Sequence, residues 1–323
     1  MPTTILASRY NALRDQVNLV LGSSSAVTPT YGYGQNFSTN SVIGTRSVAD
    51  PSNADKVSAQ NYEDLYIDLI RTRAHQVGAA VTINDFVIGD YETNTETADK
   101  IEETYIQGLE SVATNIITDR LVAHPDNLRL TSLPTASSSR PSSTTWSTVI
   151  SHIFTITFAS EIARRHFFNA GGEVRLSASV DYTGSQSKTV DWQTILNAMG
   201  TISFKAEETI SNAGVGSGTS IGNYDLTSTY KQIYSRTGGA VYARNRYNIS
   251  ALSTNATTIQ FKVEFIDGLP NNITYGIDEV VFGTFNSNVD VATPDGEINI
   301  NGTLYPTVTN ISDPVGAIVR SLS

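Results

Sequence analysis

The sequence predicts an α+β chain of more than one domain: a helical N-terminal part followed by an antiparallel β-sandwich that carries one short helix. Three observations predict it. Apolar residues recur at helical spacing in the first part, a Ser/Thr/Pro-rich stretch follows, and the remainder is a series of short alternating runs separated by Gly and Asn. A chain of 323 residues has room for about two domains, each able to bury a core without metals or disulfides. The boundaries read as a helical attachment module over 1–130, a linker over 131–147 and the sandwich over 148–323.

The helical part contains an internal echo. Ile5, Ala7, Tyr10, Leu13 and Val17 correspond at constant offset to Val57, Ala59, Tyr62, Leu65 and Leu69. Tyr, Leu and the next apolar residue fall at i, i+3 and i+7, one stripe of an α-helix, so two similar helices are expected to pack on each other. Ser8 and Ser58 stand near the expected helix starts as caps, and Gly22 and Gly78 near the ends. Between them, 28–55 reads as an ordered loop with Tyr31 and Tyr33 as its aromatic feature. A third helix is expected from Thr97 to Leu121, with Asp99, Glu102 and Glu103 at the favourable end of its dipole and His124-Pro125 as its stop.

Thr131 to Thr145 has the composition of a linker. Seven alternating runs then read as strands: 150–158, 173–180, 201–206, 240–249, 258–266, 279–285 and 297–304. Trp192, Ile195, Leu196 and Met199 share a helical face that ends at Gly200.

Composition narrows the function classes. There is no cysteine, which removes disulfides, thiolate metal sites and cysteine nucleophiles. A net charge of −10, with no Lys/Arg cluster, argues against a nucleic-acid partner. No apolar run approaches the about 18 residues of a membrane span, and the N-terminus lacks a signal-peptide pattern, so a cytoplasmic product without membrane insertion is expected.

Arg165-His166-Phe167-Phe168-Asn169-Ala170-Gly171-Gly172-Glu173-Val174-Arg175 joins two aromatics, a glycine pair suited to a tight turn, and an alternating strand. This signature resembles one in virion structural proteins of tailed bacteriophages, particularly contractile-tailed phages of cyanobacteria. Ala7 to Arg14, Val20-Leu21-Gly22, Tyr31 to Gln35, Arg73 to Gly78, Ile259 to Asp267 and Asp278 to Thr284 resemble pieces of the same proteins. The resemblance implies a virion component and no chemistry, with Phe167, Phe168, Asn169, Gly171, Gly172 and Arg175 as structural motif residues.

Other patterns were weighed for chemistry. Gly218-Thr219-Ser220-Ile221-Gly222 fits a nucleophile elbow in spelling, yet no His follows it, so the glycine run 212–220 reads as a flexible loop. Gly214, Gly216 and Gly218 lack the Lys and helix of a phosphate loop. Asn286 to Asp290 approaches a calcium loop but has Val291 where the turn glycine belongs, and an Asn-rich turn is the better reading. His75, His124, His152 and His166 have no second ligand at metal spacing, and only His152 and His166 are expected to share a domain. Tyr224, Tyr230, Tyr234, Tyr242 and Tyr247, beside Arg236, Arg244 and Arg246, read either as a contact or glycan-stacking surface or as tyrosines packed in strands.

The resemblance implies a virion protein of the tail, baseplate or tail-fibre attachment, and the lack of a convincing nucleophile, base or metal constellation separately points to a non-enzymatic role needing no cofactor or metal. It would assemble with other virion proteins as a trimer or higher ring. The alternatives are a head decoration or neck/collar protein, and a glycan-binding or glycan-cleaving receptor protein contacting a host surface glycan.

Overall fold

The computed structural model describes residues 7–21, 59–79, 103–140, 149–268, 281–295, 297–300, 303–306 and 312–322. The chain forms two units. One gathers Met1–Arg129, Arg165–Gly171 and Pro294–Ile311, and the other Leu130–Arg164, Gly172–Thr293 and Ser312–Ser323. The single boundary expected at 131–147 differs from this division, because two pieces of the C-terminal half belong with the helices.

In the first unit, α1 (Ala7–Leu21), α2 (Ala59–Val77) and α3 (Glu103–Thr118) bury the stripes that the spacing marks. Tyr10, Leu13 and Val17 of α1 and Tyr62, Leu65 and Leu69 of α2 are buried, and the Tyr10 and Tyr62 rings meet edge-on at 5.1 Å. Tyr105, Leu109 and Ile116 of α3 complete the apolar contact. Arg9 forks onto α3, with Nε 2.6 Å from Glu110 and Nη1 2.6 Å from Glu103. Hydrogen bonding to Arg9 holds both carboxyls below their ordinary range.

Gly78 ends α2 at φ +69°, and a Cβ there would lie 2.3 Å from His124 Cγ, so only glycine fits. Two expected helix signals differ. Ser8 lies inside α1 and is not its cap, and α3 closes at Thr118, before His124-Pro125, which opens a 3₁₀ turn over Pro125–Asn127. Ser58, Gly22 and the 28–55 segment lie outside the described residues.

The second unit holds two antiparallel sheets. The first runs β1 (Leu128–Ser132), β10 (Gly283–Pro294), β4 (Glu173–Asp181), β5 (Ile202–Phe204), β6 (Thr209–Ser211), with β2 (Ala136–Arg140) also on β10. The second runs β13 (Val315–Leu322), β3 (Val149–Thr157), β9 (Thr258–Ile266), β8 (Arg246–Asn255), β7 (Lys231–Thr237). Alternate residues of β3, β4 and β9 are buried, as period-2 patterning requires. The buried rows of the two sheets meet: Phe204 packs edge-on against Phe261 at 5.2 Å, and Phe285 against Phe265 at 5.1 Å. α5 (Ser187–Met199) adds Trp192, 6.0 Å from Phe265 and 5.9 Å from Phe285. Each such aromatic contributes about 1.5–3 kcal/mol by burial.

Several expectations are corrected. The residues read as linker include β2, where Ser137, Ser138 and Ser139 pair with Asn286, Phe285 and Thr284. Ala136 and Ser138 are buried while Ser137 and Ser139 are exposed, a strand alternation that serine-rich composition conceals. Residues 141–148 lie outside the described set. Glu161–Asn169 is a helix, α4, ahead of the motif's glycines. β8 begins at Arg246 because Ala240–Tyr242 is a 3₁₀ turn, and β10 starts later and runs further than 279–285. The run 297–304 is two strands, β11 (Glu297–Ile300) and β12 (Thr303–Pro306), paired antiparallel. β6, β7 and β13 were not expected.

Candidate functional site

The segment 165–175 builds local structure. Phe167 and Phe168 are fully buried, with their rings edge-on at 5.0 Å, and Asn169 is buried at the end of α4. Gly171 sits at φ +86°, where a Cβ would fall 2.5 Å from the Ala123 backbone nitrogen. The chain enters β4 after Gly172, and Arg175 Nε reaches Glu173 Oε2 at 2.9 Å.

The tyrosine and arginine segment does not form one surface. Tyr234 and Tyr247 are fully buried with ring centroids 6.3 Å apart, and Tyr234 Oη donates to Val215 O at 2.7 Å. Tyr234 is therefore corrected from contact surface to core, its inward register fixed by pairing with Ile249. Tyr230 donates to Gln260 at 2.6 Å and carries Lys262 Nζ 5.0 Å from its ring centroid. Tyr224 is exposed near the 3₁₀ turn Asn223–Asp225. Tyr242 is half-buried, and Arg244 and Arg246 are exposed, in and after the β7–β8 connection. There Ala240 adopts φ +44° and Asp191 accepts from Gly239 N at 3.1 Å. Tyr31 and Tyr33 lie outside the described residues.

The glycine run is not a flexible loop. Thr219 exchanges backbone hydrogen bonds with Thr209 at 2.8 and 2.9 Å, and Ser217 does so with Ser235 at 2.8 and 3.1 Å. The run thus bonds β6, the end of one sheet, and β7, the end of the other. Its glycines permit the close approach. A Cβ on Gly216 would lie 2.2 Å from Tyr234 Oη, on Gly218 2.2 Å from Thr209 O, and on Gly222 2.4 Å from Ala206 O. Glu208, Thr209, Ser211, Gly216 and Thr219 line an open depression of about 360 Å³ beside it. Ser220 follows a bridge residue and precedes a 3₁₀ turn, without the strand-to-helix elbow a serine nucleophile uses.

Asn286 to Asp290 lies inside β10, which corrects both the calcium-loop and the Asn-turn readings. Its side chains bond sideways: Ser137 Oγ donates to Asn286 Oδ1 at 2.6 Å, and Thr135 Oγ1 to Asn288 Oδ1 at 2.9 Å. Among the described residues, no group of three His, Asp or Glu side chains is arranged to hold a metal ion, and no helix is long and apolar enough to cross a membrane.

The buried titratable groups serve packing. His152, on β3, bridges to the other sheet, with Nε2 3.0 Å from Ser138 Oγ and Nδ1 2.9 Å from Ser287 Oγ, and burial lowers it to about 4. The ring is neutral at physiological pH, between two hydroxyls with no carboxylate to make it a base. Lys188 Nζ meets Asp267 Oδ2 at 2.6 Å with both side chains buried. Arg164 Nε donates to Asn223 at 2.8 Å and Nη1 to Ser253 at 2.8 Å. His75 bonds Ala170 O at 2.9 Å. His166 falls with His75 and His124 in the first unit, not with His152 as expected.

One surface escaped the sequence reading. β13 carries Val315 at 71 %, Ile318 at 39 % and Val319 at 54 % exposure, and among the described residues β13 pairs only with β3. The run Val315-Gly316-Ala317-Ile318-Val319 was a strand signal in its unbroken apolar character. Compared with protein-family models, with curated proteins and with solved structures, the chain matches none.

Proposed function

We propose that this chain is a non-enzymatic structural protein of a tailed-phage virion, placed in the tail, baseplate or tail-fibre attachment. Its N-terminal helices form the attachment module, and its sheets make contacts between copies. The observation that carries the reading is the use made of the motif shared with such proteins. Phe167, Phe168 and Asn169 are buried, Gly171 occupies a turn closed to other residues, and Arg175 pairs with its strand neighbour, so every resolved group in it builds scaffold. The polar groups of the core support the same reading. His152, Lys188 and Arg164 are each spent on holding elements together.

Immunogold labelling of intact virions with an antibody raised against the chain tests the assignment. Label on the tail, baseplate or fibres is the expected result. Label on the head or collar moves the protein to decoration or neck, and virions that lack the polypeptide by mass spectrometry overturn the virion reading.

A further inference from the structure

The five described outer strands of the two sheets are not alike. β6 and β7 are each bonded on the outward side by the glycine run at one residue, through the Thr209–Thr219 and Ser217–Ser235 bridges. On the opposite side β1 and β2 each pair with β10 alone among the described residues, but β1 carries the exposed Arg129 and β2 exposes the polar Ser137 and Ser139. β13 has a strand on one side only, β3, among the described residues. A strand edge with unpaired N–H and C=O groups is a template for another strand unless it is covered, charged or broken.

β13 lacks charge and proline over its first five residues, and its one deterrent is a bulge at Val319. Val315-Gly316-Ala317-Ile318-Val319 contains no charge and no proline, and its exposed side chains are apolar. Leu133 Cδ1 lies near Gly316, 2.5 Å from where a Cβ would stand, which fills the inner side at that one residue. Ile318 lies opposite Phe154 on the inward row, Val315 and Ala317 lie opposite Thr157 and Thr155 on the outward row, and Val319 is the extra residue of a bulge.

We propose that β13 is a self-association edge, at which two copies of this chain pair their Val315–Val319 segments antiparallel across a two-fold axis. The proposal rests on the reading above that copies of the chain contact one another. Two features single out a second copy as the occupant. The strands of this sheet alternate in direction, and a two-fold-related β13 continues that alternation. A segment without charge is also complementary to itself, since residues that face their own counterparts create no like-charge pair. Pairing joins two five-stranded sheets and covers Val315, Ala317 and Val319 together.

Sedimentation of the full chain over a range of concentrations is the test, with Val315→Lys/Val319→Lys as the variant. Both positions are exposed, so the variant keeps the wild-type unfolding transition, while four lysines meet across the axis. A self-association weakened by at least about tenfold is expected. The chain has no cysteine, so Ala317→Cys supplies a single thiol on the outward row. Mild oxidation is expected to give a covalent dimer, and a distant exposed control, Thr227→Cys, none. Wild-type chain that associates equally in the lysine variant, with no Ala317→Cys dimer, overturns the strand pairing while leaving contacts between copies in place elsewhere. Wild-type chain that stays monomeric at every concentration overturns it as well, and leaves the labelling result on virions to stand or fall by itself.

Discussion

The β7 side and the β13 side of the second unit solve one problem in opposite ways. On the β7 side, a glycine-rich run crosses from β6 to β7 and bonds both, and its glycines admit the chain against Tyr234, Thr209 and Ala206. On the β13 side, apolar residues stand exposed on an edge with no such cover among the described residues. The bonds are made by Thr and Ser residues, and the glycines among them admit the run where a Cβ would clash, at the entropic cost of ordering glycine. Leaving the other edge apolar keeps it competent to receive a strand. The difference teaches that one outer strand of the unit is bonded by its own chain while another stands apolar and exposed among the described residues.

The largest expected effect tests whether the two sides share one frame. Lys188→Ala removes one side of the buried Lys188–Asp267 ion pair and is expected to cost about 3–5 kcal/mol in urea unfolding. If the sides differ only locally, hydrogen exchange then accelerates equally in β7 and β13, and acceleration confined to one of them breaks the comparison.

Acid acts on the β13 side through His152. Burial lowers His152 from 6.5 to about 4 in the folded state, so the unfolded chain binds the extra proton between those values. The stability is complete above about pH 6.5 and is lost as pH falls toward 4, by roughly 2–3 kcal/mol. His152→Gln is expected to flatten that part of the pH dependence, and the slope left by His166, also lowered to about 4 mainly by burial, belongs to the other unit. An unchanged slope in His152→Gln would place the acid sensitivity elsewhere.

Gly218→Ala forces the backbone away from Thr209 O and is expected to cost about 1–3 kcal/mol, with faster exchange at Thr209 and Ser217 and none at β13. Val315→Thr, on the open side, is expected to change stability by no more than about 0.5 kcal/mol. A larger loss would show that Val315 is already covered in the single chain.

The chain by itself determined the local pieces. Tyr10, Leu13 and Val17, and Tyr62, Leu65 and Leu69, marked their helical stripes because a helix that buries one face must repeat apolar residues near every 3.6 positions. The alternating runs at 173–180 and 258–266 marked β4 and β9 almost to the residue, since a strand with one buried face must alternate. Asp191 to Gly200 marked most of α5 in the same way.

Only the tertiary structure decided what depends on neighbours. Ser137 and Ser139 look like linker residues until Asn286 and Thr284 of β10 bond them, because serine carries no apolar signal to alternate. Asn286 to Asp290 looks like a turn until it lies mid-strand for the same reason. The glycines of 212–222 look mobile in isolation, and they are ordered because two sheet ends each offered a row of unpaired backbone groups, which no residue code records. The exposed edge at Val315–Val319 is likewise a property of strand order. Its residues name a strand, but only the position of β13 at the end of its sheet leaves one side of that strand open.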